Sequence, residues 1–358
     1  MKILIIGAGP AGLSAAVNAS NEGNEVTVFE RYDKVGLKVC GEALAREALE
    51  YVNLKPSEEF VVNRVKGFHI TFKGKFVREA AFKNLPNAPG YLIDKPKLLN
   101  IMLSKAEENG SDIFLKTMVK EVDPASGKIK LENGKIIQGD LILCADGSGS
   151  LARKHLDYSN YETAPCMQYK CVFPENEFSP EYLHLDIIGE GYLWVFFKRD
   201  YANVGVGSPN TNSVSAFAYL KKFIEDHRGK IIEKPRGAPV SLGGPVKSFS
   251  VGRLAVTGEA AGCVMPLSGE GNRFGLYAGG IAYKPNYKDN FMQKYGKNME
   301  ISRKILSLVK DLNDKERIDL LSCMEDPLGV LEGNWPSMKS FFLKPKLLVK
   351  LIWSFFAG

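Results

Sequence analysis

Histidine and cysteine are scarce in this sequence, and neither is spaced to hold a metal. The four histidines (His69, His155, His184, His227) are scattered along the chain. The six cysteines (Cys40, Cys144, Cys166, Cys171, Cys263, Cys323) contain no CxxC pair and no disulfide framework. That usage argues against a zinc site and fits a reducing compartment. No apolar run reaches the roughly 18 residues that mark a membrane span. Repeats and low-complexity tracts are also missing, which excludes solenoids and fibrous arrays. A net charge of +6 on 358 residues is modest. It permits acidic lipids or phosphorylated substrates and gives no reason to expect nucleic acid. Strand-like residues begin at Met1, so no secretory signal or transit peptide is expected and the anticipated location is cytoplasmic.

What is present is organised around the first thirty residues. Ile3-Leu4-Ile5-Ile6 reads as a buried parallel strand and runs into Gly7-Ala8-Gly9-Pro10-Ala11-Gly12. Small residues from Leu13 to about Glu22 form a helical stretch, and Val26–Phe29 is a second apolar strand ending in Glu30. A GxGxxG turn between strand and helix, with an acid 18 residues after its last glycine, is the fingerprint of a dinucleotide site. Gly7 permits the turn, Gly9 lets the backbone approach a pyrophosphate, and Gly12 lets strand and helix pack closely. The helix N-terminus offers free N–H groups to the phosphates, and Glu30 is placed to accept from a ribose diol.

Two more motifs follow further along. Leu141–Ala145 reads as a buried strand delivering Asp146, Gly147, Ser150 and Arg153 in the pattern DGxxSxxR. Arg253–Thr257 is another, opening into GEAAGxxxPxxGEG at Gly258–Gly271 and then a small-residue helix. Between them, residues from about Ala164 to Gly244 alternate like an antiparallel sheet, with strands at Glu181–Ile188, Tyr192–Lys198 and Ala202–Gly207. Earlier, Lys66–Phe72 and Lys75–Phe82 read as a hairpin, the stretch after Leu44 to about Tyr51 as helical, and Lys97–Asn109 as an amphipathic helix. The remainder, Tyr287–Gly358, reads as mostly helical.

These three motifs, in this order, resemble the FAD-dependent family of para-hydroxybenzoate hydroxylase type. Within it they resemble the geranylgeranyl reductase branch, which includes archaeal digeranylgeranylglycerophospholipid reductases. Val39-Cys40-Gly41-Glu42-Ala43 looks like that branch's cysteine-glycine segment, and Tyr192–Lys198 like its YxWxFPK signature, with Phe197 in place of proline. The resemblance covers about residues 1–283. It implies a mixed α/β (α+β) fold: a Rossmann-like FAD domain (1–60, 91–160, 250–285), an inserted antiparallel-sheet substrate domain (61–90, 161–249) and a helical C-terminal region (286–358). It implies FAD held by Gly7, Gly9 and Gly12, by Glu30 and Arg31 at the adenosine side, by the backbone of Val119 at the adenine, and by Asp146. Cys40, Gly41, Ala43, Lys95, Glu259, Gly271 and Asn272 complete that set. Lys95 stands where the family has arginine, Glu259 where it has aspartate, and Asn272 where isoleucine is common. The helix starting near Gly271 would turn its positive dipole end towards the flavin.

The implied reaction is hydrogenation of isolated double bonds in geranylgeranyl or other polyprenyl chains during archaeal-type lipid synthesis. Such alkenes have no carbonyl to take up developing charge. A proton to one carbon and a hydride equivalent from reduced FAD to the other is the expected route, in a dry, apolar tunnel. Tyr192, Trp194 and Phe196 share one strand face and suit the tunnel wall, and Lys198, which closes the signature, is grouped with them as substrate-binding; Phe197 faces the other way. Cys40 is the catalytic candidate, as contact or proton relay, and Glu42 and Glu270 are carboxylates that could feed protons. Cys263 is expected within reach of Cys40, as a redox-sensitive pair. With no second dinucleotide motif, the electron donor is NAD(P)H or a ferredoxin. Phe341–Phe356, with Lys344, Lys346, Lys350 and Trp353, suits either an interfacial membrane helix or a buried cover of the tunnel. Two rival readings remain: a flavin monooxygenase or halogenase acting on an aromatic, and a non-catalytic flavin- or lipid-binding protein.

Overall fold

The computed structural model describes the chain apart from residues 82–88, 160, 210–212, 325, 332, 338–340, 342–343 and 357–358. The end of the expected hairpin strand, Phe82, lies outside the described residues.

Lys2–Ile6 is the centre of a six-stranded sheet ordered Ser250–Val251, Leu254–Val256, Leu141–Cys144, Lys2–Ile6, Glu25–Phe29, Asp112–Phe114. All pairings are parallel except the first, at the edge. Parallel strands are covered on both faces, which is why Ile3, Leu4, Ile5 and Ile142 are all fully buried instead of alternating. One cover is the helix Pro10–Asn21, with proline in its first turn, where the missing N–H costs nothing. It packs so closely on the helix Asn272–Ile281 that a Cβ on Gly279 would lie 2.0 Å from the Ala11 carbonyl oxygen.

The second large sheet is mixed. Its order is Lys230–Ile231, Thr163–Val172, Ala202–Gly207, Gly191–Phe197, Tyr182–Ile188, Gly67–Phe72, Lys75–Ala81, with Arg236–Ser241 also paired to Thr163–Val172. Gly67–Phe72 joins Tyr182–Ile188 in parallel, so the sheet is not antiparallel throughout. The expected hairpin of Gly67–Phe72 with Lys75–Ala81 is present. Residues 164–244 are not all sheet either: Ser213–Asp226 is a helix. Its Ala216, Leu220, Phe223 and Ile224 recur at helical spacing and pack on Leu193, Val195 and Val204. The helical stretch expected after Leu44 is a 3-10 helix, Arg46–Val52, preceded by a short strand, Ala43–Ala45. The strand is drawn into a three-stranded sheet with Pro89–Ile93 and Val61–Arg64.

From Tyr287 onwards the described chain is largely helical. Tyr287–Phe291 passes through a π turn, Met292–Gly296, into Lys297–Asp311. Asp314–Cys323, Pro327–Leu331 and Pro345–Phe356 follow, joined by a core that includes Ile305, Leu320, Val330, Leu347 and Leu351.

Candidate active site

A single cavity of about 690 Å³ runs from the Gly7–Gly9 turn, past Cys40 and Asn272, to the C-terminal helices at Leu320 and Val330. Its first part has the shape a dinucleotide needs. A Cβ on Gly12 would sit 1.9 Å from the Gly7 carbonyl oxygen, and one on Gly7 would sit 2.6 Å from that of Ala145. Gly9, by contrast, faces open space, as expected where a pyrophosphate approaches the backbone. Glu30 is buried, accepting from the Ala8 N–H at 2.8 Å and the Tyr32 N–H at 3.0 Å. Those bonds fix its carboxylate at the strand end, with remaining lone pairs for a ribose.

Asp146 points most directly to a ligand of hydroxyl chemistry. Its Oδ2 accepts from the Leu151 N–H at 2.8 Å, while its buried Oδ1 has no hydrogen-bond partner among the described residues. Burial raises its pKa, and a hydroxyl-rich ligand would satisfy the orphan oxygen. The residues present therefore fit FAD. The rest of the DGxxSxxR motif supports this turn: Ser150 accepts from the Ala152 N–H, and the Arg153 guanidinium lies over the Tyr161 ring at 4.8 Å. Gly7, Gly9, Glu30, Arg31, Cys40, Gly41, Ala43, Lys95, Val119, Asp146, Glu259, Gly271 and Asn272 all line the cavity; Gly12 lies behind the turn. Two of the family departures have partners of their own. Lys95 is buried and donates to the Lys38 carbonyl, and Glu259 accepts from the Ser241 N–H at 3.1 Å and pairs with Lys38.

Beyond the glycine turn the wall becomes apolar. Tyr192, Trp194 and Phe196 face the cavity, whereas Leu193, Val195 and Phe197 pack into the core on the other side of the sheet. Trp194 donates to Gln168 Oε1 at 3.1 Å, and Gly205 makes room for its ring, since a Cβ there would lie 2.3 Å away. Tyr192 donates to the Ser268 carbonyl at 2.5 Å, and burial keeps its hydroxyl well above the usual phenol range, hence protonated. Lys198 is elsewhere: it does not line the cavity, and its ammonium is buried against Glu42 and the Ile93 carbonyl.

Cys40 lines the cavity, its sulfur accepting from the Glu42 N–H at 3.3 Å and from Asn272 Nδ2 at 3.5 Å. The structure does not bring Cys263 to it. Cys263 is fully buried in the core, beside the Tyr287 hydroxyl, and burial pushes its thiol far up. Cys166 is the second cysteine that lines the cavity, and burial pushes its thiol to about 12. Several wall residues escaped sequence reasoning: Phe68 and Ile70 from the hairpin, Leu183 and Leu185 from the neighbouring strand, and Arg317 and Leu320 from the C-terminal helices. The alternation of Phe68 with Ile70, and of Leu183 with Leu185, was a signal that one face of each strand is apolar. Nothing local marked Leu320. Among the described residues, no cluster of His, Cys, Asp or Glu is arranged to hold a metal ion.

Comparison with known proteins agrees with this geometry. Residues 1–150 match the pyridine nucleotide-disulphide oxidoreductase family model, and residues 162–238 match the geranylgeranyl reductase catalytic domain. The chain is 28% identical to the digeranylgeranylglycerophospholipid reductase of Methanococcus vannielii, covering 97% of this chain and 96% of that one. Identity to the Thermoplasma volcanium protein of that name is 27%, over 89% and 91% of the two chains. Among solved structures, a geranylgeranyl bacteriochlorophyll reductase-like protein from Thermoplasma acidophilum superposes with a TM-score of 0.83 at 23% identity, covering 99% and 98%. A flavin-dependent halogenase superposes at 0.70 with 17% identity, covering 98% of this chain and 70% of the other, which shows the shared fold. Fold and site define an oxidoreductase with a Rossmann-type FAD-binding domain. Within that class the chain is similar to the geranylgeranyl reductases through residues 162–238, and to the digeranylgeranylglycerophospholipid reductases at 27% and 28% identity.

Proposed function

We propose that the protein is an FAD-dependent reductase that hydrogenates isolated C=C bonds in the geranylgeranyl chains of archaeal-type lipids. The observation that carries this reading is the continuity of one cavity from the glycine cradle to an apolar wall of Phe68, Ile70, Leu183, Trp194 and Phe196. A polar aromatic substrate would not need so long an apolar lining. Bound FAD would supply the hydride equivalent for one alkene carbon. The protein's residues do the rest. The aromatic wall excludes water and orients the chain. Gly7, Gly9, Glu30 and Asp146 hold the cofactor, with Val119 at the adenine end. Cys40, held by two N–H donors, is assigned the delivery of a proton to the other carbon.

Two partners belong to the same reading. NAD(P)H or a ferredoxin reduces the flavin, and anaerobic titration of the oxidised protein with each distinguishes them. The C-terminal helix Pro345–Phe356 contacts the membrane surface peripherally, since Val349, Ile352 and Trp353 are exposed on it. Among the described residues no helix is long and apolar enough to cross a membrane.

The decisive experiment is anaerobic. The flavoprotein is reduced with dithionite and mixed with a geranylgeranylated phospholipid while flavin absorbance is followed. Reoxidation with a product heavier by two hydrogens per bond is expected. A flavin that stays reduced until oxygen is admitted would sink the reductase reading and favour a monooxygenase or a carrier.

A further inference from the structure

We propose that Lys198 is a positioning residue for the Cys40 loop: by holding Glu42 it fixes the turn that presents the Cys40 thiol to the cavity. It does not bind the substrate's polar end. This rests on the reductase reading for its consequence in turnover, and on geometry alone for the positioning itself.

The argument begins with Glu42. Its backbone is left-handed, with φ of +70°, a conformation uncommon outside glycine. A glycine there would take the turn freely. The neighbouring Gly41 does not carry the turn; it is small because a Cβ would lie 2.8 Å from the Phe196 ring. The chain therefore places a carboxylate, not a glycine, at the strained position, and the carboxylate has a specific partner. The Lys198 side chain is 3% exposed, and its ammonium donates to Glu42 Oε2 and to the Ile93 carbonyl. A buried ammonium is tolerated only when paired and hydrogen-bonded, and this one finds Glu42 in the Cys40 loop and the Ile93 carbonyl at the end of the strand Pro89–Ile93.

The turn reaches the thiol directly. It aims the Glu42 N–H at Cys40 Sγ, while its carbonyl accepts from the Ile93 N–H at 3.0 Å. With Asn272 Nδ2 approaching from the other side, the sulfur is held as an acceptor at the cavity wall. Lys198 also directly follows the strand Gly191–Phe197, which carries Trp194 and Phe196. The ion pair thus locks the thiol loop in register with the apolar wall.

The test uses the FAD-loaded full chain with Lys198→Met, Glu42→Gln and the conservative Lys198→Arg. The rate of Cys40 alkylation by N-ethylmaleimide is read by peptide mass spectrometry, alongside kcat and KM for a geranylgeranylated phospholipid. Release of the turn in Lys198→Met and Glu42→Gln is expected to speed Cys40 labelling and to lower kcat, each roughly tenfold, with KM nearly unchanged. Lys198→Arg should restore part of both. A raised KM with unchanged kcat and labelling would make Lys198 a substrate ligand and overturn the proposal. So would unchanged labelling in a variant that keeps its melting temperature. If the wild type reduces no lipid, the function reading fails, and the labelling rates alone still decide the positioning role.

Discussion

At the scale of single residues, the close contacts of the glycine turn make the sharpest prediction. Gly12→Ala would force a Cβ to within 1.9 Å of the Gly7 carbonyl oxygen, so the turn must open. The variant is expected to purify without flavin, read as loss of flavin absorbance per protein; stoichiometric FAD would refute the close-packing argument. A second residue makes a pH prediction. Burial pulls the His184 imidazole down to about 4, while its Nε2–H donates to the Ser179 carbonyl at 2.7 Å. The unfolded chain, with an ordinary histidine near 6.5, binds the proton first. Stability from this group is therefore complete above about pH 6.5 and lost as pH falls towards 4, by about 3 kcal/mol at most. Urea unfolding at pH 7 and pH 5 should show the loss, and His184→Gln should flatten it. The close-packed Gly7 and Gly12 and the turn at Asp146 were legible in the sequence because each answers to a local backbone need. The partners of Glu259, Lys198 and Cys263 were not legible. Lys38 lies 221 residues from Glu259, and Glu42 lies 156 from Lys198. Only the fold brings such pairs together.

Among the elements, legibility followed the strength of the periodic signal. Strands of the parallel sheet stood out as continuous apolar runs, and the Tyr192–Phe197 alternation correctly sorted its side chains between cavity and core. Ser213–Asp226 was missed because the alternation of its flanking strands was carried through it, although Ala216, Leu220, Phe223 and Ile224 recur at helical spacing. The helical stretch after Leu44 is present as the 3-10 helix Arg46–Val52, while the strand Ala43–Ala45 before it went unread because only its tertiary pairing with Pro89–Ile93 makes it. The helix Asp314–Cys323 connects element to function, since its Arg317, Leu320 and Leu321 line the cavity. It starts with a capping box in which Asn313 and Glu316 each accept from the other's backbone N–H at 3.0 Å. Asn313→Ala should cost about 1 kcal/mol of stability, measurable by urea denaturation. An unchanged midpoint would mean that packing on the cavity side, not the cap, sets the start of this helix.

Across the whole molecule, the cavity is assembled from the first turn of the chain, the middle of the mixed sheet and the C-terminal helices, so no window of sequence could have outlined it. That assembly also bears on how a lipid would reach it. Leu347 and Leu351 of the last helix pack with Ile305, Leu320 and Val330, three residues that also line the cavity. On its outer side Val349, Ile352 and Trp353 are 57%, 40% and 73% exposed, at spacings of three and four that place them on one face. Lys344 and Lys350 are engaged with Asp319 and Glu316, while Lys346 is exposed beside the apolar face. An anionic bilayer offers both apolar depth for that face and negative charge for Lys346. Fully burying one such side chain is worth about 1.5–3 kcal/mol, so replacing all three by Ser, Ser and Ala should weaken binding to anionic vesicles by more than about tenfold. Because the three are exposed, the substitutions should change folding stability by no more than about 0.5 kcal/mol each. Co-sedimentation with vesicles containing phosphatidylglycerol measures the first quantity and thermal unfolding the second. A folded triple variant that still pellets with the vesicles would take the membrane contact away from this helix.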